Sequence, residues 1–233
     1  MTFFYHLSIR LQQIPYELGE RFTSTELIPA LMLFLAFVIV AISRVLDPSI
    51  FRVVLVANRK VNRLSTYLKE SFPLNKLSSF LLLFNYVLSG SVIVYLFTID
   101  LGWNAQKQWT VSLLAPLLVL VWQLGGMVLT SWLVGNIQIF RAPLAIKIIG
   151  NQLLGVLFFA CALIWMLNTA FTPICKTLIL SILAAAFAFR IMKSIYLVFK
   201  EGVSWFYIIL YLCTLEILPL SVVYHILLHG NFV

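Results

Sequence analysis

Two ionisable side chains stand where an apolar chain should tolerate none. Glu216 lies inside 205–227, a run otherwise almost wholly apolar, and Arg190 lies inside the preceding apolar run, 173–199. A charge at a bilayer centre costs at least ~2.5 kcal/mol on insertion scales, so each needs a partner or a purpose. Thr172-Pro173 opens the fifth run on one side, and the sixth returns from the other side after a short turn. At 1.5 Å per residue, Arg190 lies about 14 Å and Glu216 about 16 Å from that shared side. Opposite charges at matching depth on consecutive antiparallel helices are expected to pair. The pair has two readings: a structural clamp, or a carboxylate serving a proton or substrate relay. Pro219, three residues beyond Glu216, frees a backbone carbonyl near the carboxylate.

A second polar group gathers at similar depth: Asn85, Gln123, Asn151 and Gln152, with Tyr86 and Ser89 beside them. Such residues ordinarily hydrogen-bond helix to helix, at about 0.6 kcal/mol apiece. Together with Arg190 and Glu216 they are also what the pathway of a small transporter or lipid-handling protein would use. The small residues Ser181, Ala184, Ala185 and Ala188, and Gly125, Gly126 and Thr130, read as faces where helices pack closely. His225 and His229 have the i, i+4 spacing of a metal pair, but no third ligand of suitable type and depth accompanies them. No metal and no cofactor is therefore expected.

Catalytic constellations fare no better. Ser89-Gly90-Ser91 is an unspecific serine motif, and the three histidines, His6, His225 and His229, all fall toward the outer side. Asp47 and Asp100 both sit outside the apolar runs, which removes an intramembrane aspartyl dyad. No nucleotide-binding glycine loop, HExxH or phosphatase signature occurs. Cys161, Cys175 and Cys213 form no CxxC pair and read as small apolar residues. The expectation is a protein that is not an enzyme.

The elements that position these residues follow from composition. Hydrophobic residues make up 62% of the chain and charged residues 10%, whereas a soluble domain carries roughly 25% charged residues. Six runs are long enough to cross a hydrocarbon core of about 20 residues: 26–43, 77–99, 109–133, 144–167, 173–199 and 205–227. The expected fold class is all-α, a polytopic bundle of about six spans, with the first read as an uncleaved anchor. Lys and Arg divide between alternate sides as 4 against 12. The richer side is cytoplasmic by the positive-inside rule, so both termini face outward. The net charge of +8 belongs to this asymmetry and is no sign of nucleic-acid binding, since no basic soluble domain accompanies it.

Residues 1–25 read as an outward-facing amphipathic arm, with Phe4, Leu7, Leu11, Ile14 and Leu18 at helical spacing and Pro15 bending it. The bundle occupies 26–233. Thr23-Ser24-Thr25-Glu26 matches a capping box that starts the first span. Asp47-Pro48 reads as an N-cap and N1 proline opening a cytoplasmic helix over about 48–70. Its apolar face is Ile50, Val54, Ala57, Val61, Leu64 and Leu68; Arg52, Arg59, Lys60 and Arg63 make the basic side. This helix either lies along an anionic inner leaflet or packs beneath the bundle, and the same charges serve both. The remaining connections, 100–108, 135–143, 168–172 and 200–204, are short, which makes neighbouring spans antiparallel.

The stretch Phe206-Tyr207-Ile208-Ile209-Leu210-Tyr211-Leu212-Cys213-Thr214-Leu215-Glu216-Ile217-Leu218-Pro219-Leu220 resembles the closing helix of a family of Bacteroidota integral membrane proteins, domain of unknown function 4271. The chain size, the six-span layout and Phe140-Arg141 before the fourth span are also similar. The resemblance implies a bacterial inner (cytoplasmic) membrane with the outer side periplasmic, and singles out Tyr211, Glu216 and Pro219 as motif positions. It brings no activity, cofactor or catalytic residue. The functional expectation is a non-enzymatic scaffold or assembly subunit of an envelope complex. Its expected contacts are anionic inner-leaflet lipid and an envelope protein or a second copy. The alternative is a small transporter or lipid-handling protein centred on Glu216 and Arg190.

Overall fold

The computed structural model describes residues 24–49, 51, 54, 77–99, 103–134 and 137–201. Outside them lie Glu216 with the whole of the sixth expected span, most of the N-terminal arm, Arg52, Arg59, Lys60, Arg63, the histidines and Cys213. The described residues form α1 (Ser24–Leu46), α2 (Leu77–Thr98), α3 (Ala105–Val134), α4 (Ile137–Leu167), a 3-10 turn (Thr169–Phe171) and α5 (Thr172–Glu201). Each of the five α-helices holds a segment long and apolar enough to cross a membrane: Leu27–Leu46, Leu77–Thr98, Ala105–Val128, Leu144–Leu167 and Thr172–Lys193.

An α-helix is the natural answer for such segments, because it satisfies every backbone group internally. The hydroxyls follow the same rule. Ser43 donates to the Ile39 carbonyl at 2.8 Å, Ser91 to Val87 at 2.8 Å and Ser112 to Gln108 at 2.6 Å, each four residues back. Each helix thereby hides its own donors. Helix ends carry matching signals. α1 begins at Ser24, the first helical position of the expected capping box. Beyond its end, Asp47 Oδ1 accepts from the Ser49 amide at 3.1 Å and the Ser49 hydroxyl at 2.6 Å, the bonding of an N-cap. Phe51 and Val54 are helical after it. Before α5, Asn168 Oδ1 accepts from the Ala170 amide at 3.0 Å.

Two expected connections are corrected, and the first is 100–108, where α3 already begins at Ala105. Residues 135–143 read as a loop because hydropathy falls at Arg141 and Pro143, yet α4 already begins at Ile137. Backbone hydrogen bonding does not stop where the apolar window does. A helix projecting past that window satisfies its own groups better than a loop would.

The five helices pack around a central pair. α2 and α4 bury 61% and 56% of their apolar windows, against 28% for α1, 22% for α3 and 11% for α5. α1 and α3 both flank α2, while α5 leans on α4. The main core joins Leu33 of α1, Tyr86 and Val92 of α2, Phe158, Ala162 and Trp165 of α4, and Ile179 of α5. Cys161 and Cys175 are buried free thiols in it.

Close approach occurs at glycines that residue spacing did not flag. A Cβ on Gly155 would lie 2.7 Å from Tyr86 Cα, so the backbones of α2 and α4 nearly touch there. Gly90 faces Pro116 of α3 at 3.1 Å from where its Cβ would be. Five residues of the expected close-packing faces are not used for packing within the described bundle. Ser181, Ala184, Ala185, Ala188 and Gly125 are exposed, and nothing lies within 4 Å of a Cβ on Gly125. A small side chain permits close approach without saying which partner, if any, uses it.

The two ends differ. At one, Tyr95 stacks on Trp109 with centroids 4.2 Å apart, Phe97 meets Trp165 edge-on at 5.3 Å, and Lys107 and Lys176 sit over Trp103 and Trp165. Aromatic rings with a polar rim are what a membrane–water boundary favours. The other, called here the basic end, holds the end of α1, the starts of α2 and α4 and the end of α5.

Candidate functional site

Helix geometry places Arg190 eleven residues, about 16 Å, from the end of α5. Its side chain is buried, 9% exposed. Arg190 Nη2 donates to Asn151 Oδ1 on α4, and Asn151 Nδ2 donates to Gln123 Oε1 on α3 at 3.2 Å. Three helices are thus joined by one hydrogen-bonded chain, Gln123–Asn151–Arg190. A bond to a charged group contributes about 1.5–3 kcal/mol, more than a neutral one. Gly150 is part of the seat: a Cβ there would sit 3.5 Å from both Arg190 Nε and Nη2, so the guanidinium edge packs close to this glycine. Arg190 Nε itself is buried with no hydrogen-bond partner among the described residues. That edge is where the Glu216 carboxylate would be sought, but Glu216 lies outside the described residues.

Gln152, next to Asn151 in sequence, serves a different contact. Its Nε2 donates to the Ser79 carbonyl at 3.0 Å and to the Ser79 hydroxyl, tying α4 to the start of α2. Asn85 is fully buried on α2 and accepts from Ser89 Oγ at 3.3 Å within its own helix. Its Nδ2 has no partner among the described residues. The expected layer therefore resolves into a three-helix chain, a separate α4–α2 tie and an intrahelical pair. Both hydroxyls of Ser89-Gly90-Ser91 are engaged within α2.

Two residues escaped the sequence reading. Lys147 on α4 and Lys193 on α5 are 2% and 6% exposed, as buried as the core. Lys147 lies one turn before Asn151 and Lys193 one turn after Arg190, and both turns lead toward the basic end. The Lys193 ammonium lies 4.3 Å from the Phe189 ring centroid. The signal was present, since both lysines fall in or at the edge of apolar runs, but the topology count absorbed them as end charges.

The segment after Asp47 meets the bundle at Val54. That side chain is 5% exposed and packs with Leu82 of α2 and Ile146 and Ile149 of α4, with Val40 of α1 and Phe51 beside them. The first turns of the expected amphipathic helix thus place an apolar residue against protein. Among the residues searched, no group of three His, Cys, Asp or Glu side chains could hold a metal ion.

Comparison with curated proteins and with solved structures gives no match. A family model described as Domain of unknown function (DUF4271) matches residues 30–227. The match takes in all five described helices at least in part, and runs on through the segment carrying Glu216. Covering most of the chain, it shows that this protein belongs to the DUF4271 family.

Proposed function

We propose that this is a multi-pass protein of a bacterial inner membrane, both termini periplasmic, acting as a non-enzymatic scaffold or assembly subunit of an envelope complex. The observation that carries the reading is the use made of the buried polar side chains. Gln123, Asn151 and Arg190 bond to one another across α3, α4 and α5, and Gln152 bonds Ser79 across α4 and α2. Side chains spent on holding helices together are those of a framework. The resemblance to Bacteroidota membrane proteins supports the compartment, and anionic inner-leaflet lipid and an envelope protein or second copy are the proposed contacts.

The test is recovery of the tagged protein from native membranes in mild detergent. A scaffold brings another envelope protein with it at a fixed ratio across independent preparations. Recovery alone, with solute flux in reconstituted vesicles, would contradict it. The second reading, a small transporter or lipid-handling protein, draws support from the burial of Arg190, bonded to Asn151 between α4 and α5, within an otherwise apolar bundle.

A further inference from the structure

We propose that the apolar face of segment 50–68 docks on α2 and α4 at the basic end, so that this chain's own helices, and not lipid, cover that face. The inference goes beyond both readings above and depends on neither, since a scaffold and a transporter could each carry such a cover. Ile50, Val54, Ala57, Val61, Leu64 and Leu68 share one face by helical spacing. Val54 is the member whose side chain is described. It is helical, 5% exposed, and clustered with Leu82 of α2 and Ile146 and Ile149 of α4. A helix keeps one face on one side, so a face that starts on protein at Val54 continues toward protein at Ala57 and Val61.

The course of the chain supports this occupant. From Asp47, just past the end of α1, to Val54 the chain crosses to α4, one of the two central helices. That direction leads inward across the bundle and not outward over lipid. The stretch that follows is also tied at its far end. It must return to Leu77, which begins α2 only five residues, about 7.5 Å, from Leu82. Residues 55–76 therefore leave and rejoin the bundle at one corner of α2. The helices at this end are enclosed as well. Ala145, Ile146, Lys147, Ile148 and Ile149 are all buried, and five consecutive helical residues go round the whole axis. Ser78 and Ser79, in the first turn of α2, are buried too. Further along α4, Leu157 is exposed again. Protein thus surrounds the central pair most completely where Val54 enters.

The full-length protein, in a background without native cysteines, is labelled with bimane at Val61→Cys or Leu64→Cys and placed in vesicles of phosphatidylcholine alone. Quenching is read with nitroxide-labelled lipid and with iodide on both sides of the membrane. Phe80→Cys, at a bare position on α2, is the lipid-facing reference, and Gln106→Cys, exposed at the start of α3, is the water-facing one. Both labels on the apolar face should be quenched several-fold less than the matching reference by either agent. Hydrogen exchange of the unlabelled protein supplies a second measurement that no label can disturb. Val54→Ala should speed exchange of the amides in 55–68 about tenfold, the scale of two buried carbons lost. Val45→Ala, at an exposed position on α1, should leave it unchanged. Lipid quenching equal to that at Phe80 would put the face in the bilayer, and iodide quenching equal to that at Gln106 would put it in water. Either result overturns the docking, as does exchange that Val54→Ala leaves unchanged.

Discussion

Gly155→Ala adds one methyl group at the tightest place in the bundle. The new carbon would lie 2.7 Å from Tyr86 Cα and 2.9 Å from both Tyr86 N and Tyr86 Cβ. Carbon atoms attract best near ~3.5 Å, so the overlap is about 0.8 Å. Two of the three struck atoms are backbone and cannot turn aside, so α2 and α4 must separate along their shared face. Overpacking of this kind costs about 1–3 kcal/mol, and a backbone collision belongs at the upper end. Alanine recovers ~1 kcal/mol over glycine as a helix former, which leaves a net loss of about 2 kcal/mol. For a chain of this size that is a fall of about 4–8 °C in Tm. Gly125→Ala is the matched control, with no atom within 4 Å of the new methyl. It should gain up to ~1 kcal/mol from propensity alone. Thermal unfolding of the two variants and wild type in one detergent reads the contrast. If Gly155→Ala melts at or above the wild type, α2 and α4 do not meet as described.

Three further outcomes are expected. Glu216→Gln and Arg190→Met should each destabilise the protein by ~3–5 kcal/mol if they break a buried pair, while Arg190→Met with Glu216→Leu recovers much of the loss; additive losses in a thermal double-mutant cycle would show that the two are not partners. In a background without native cysteines, a cysteine at Gln106 should react with an impermeant thiol reagent admitted to the periplasm and one at Asn58 should not, and the reverse pattern would invert the proposed topology. Replacing Arg52, Arg59 and Arg63 by Gln should weaken contact of 48–70 with anionic vesicles by ~1 kcal/mol per charge; contact independent of anionic lipid would mean that the basic side faces protein or solvent.

What the sequence made legible follows from what each signal measures. Apolar length located the five described helices, because a hydrocarbon core fixes how many residues a span needs. It misplaced the start of α4, since hydropathy marks where lipid ends and not where the backbone stops coiling. Residue type nominated Gln123, Asn151 and Arg190, because polar groups in lipid require partners. It could not say that Asn151 turns to Arg190 while adjacent Gln152 reaches Ser79, since helices at similar depth offer several partners and only packing chooses. Gly155 was invisible for the reason that misled at Ser181–Ala188: lack of bulk records permission and not contact. Lys147 and Lys193 went unread because a lysine near a span end can reach the interface along its stem, so its position says little about its burial.

The scaffold reading turns on whether the chain exists in its membrane as part of a larger assembly. Blue-native electrophoresis of native membranes solubilised in mild detergent, followed by a denaturing second dimension, measures this directly. The expected result is a single band well above the size of one chain that resolves into this protein and another envelope protein at constant ratio. A band of the size of one chain under the same conditions, with no companion in the second dimension, would contradict it.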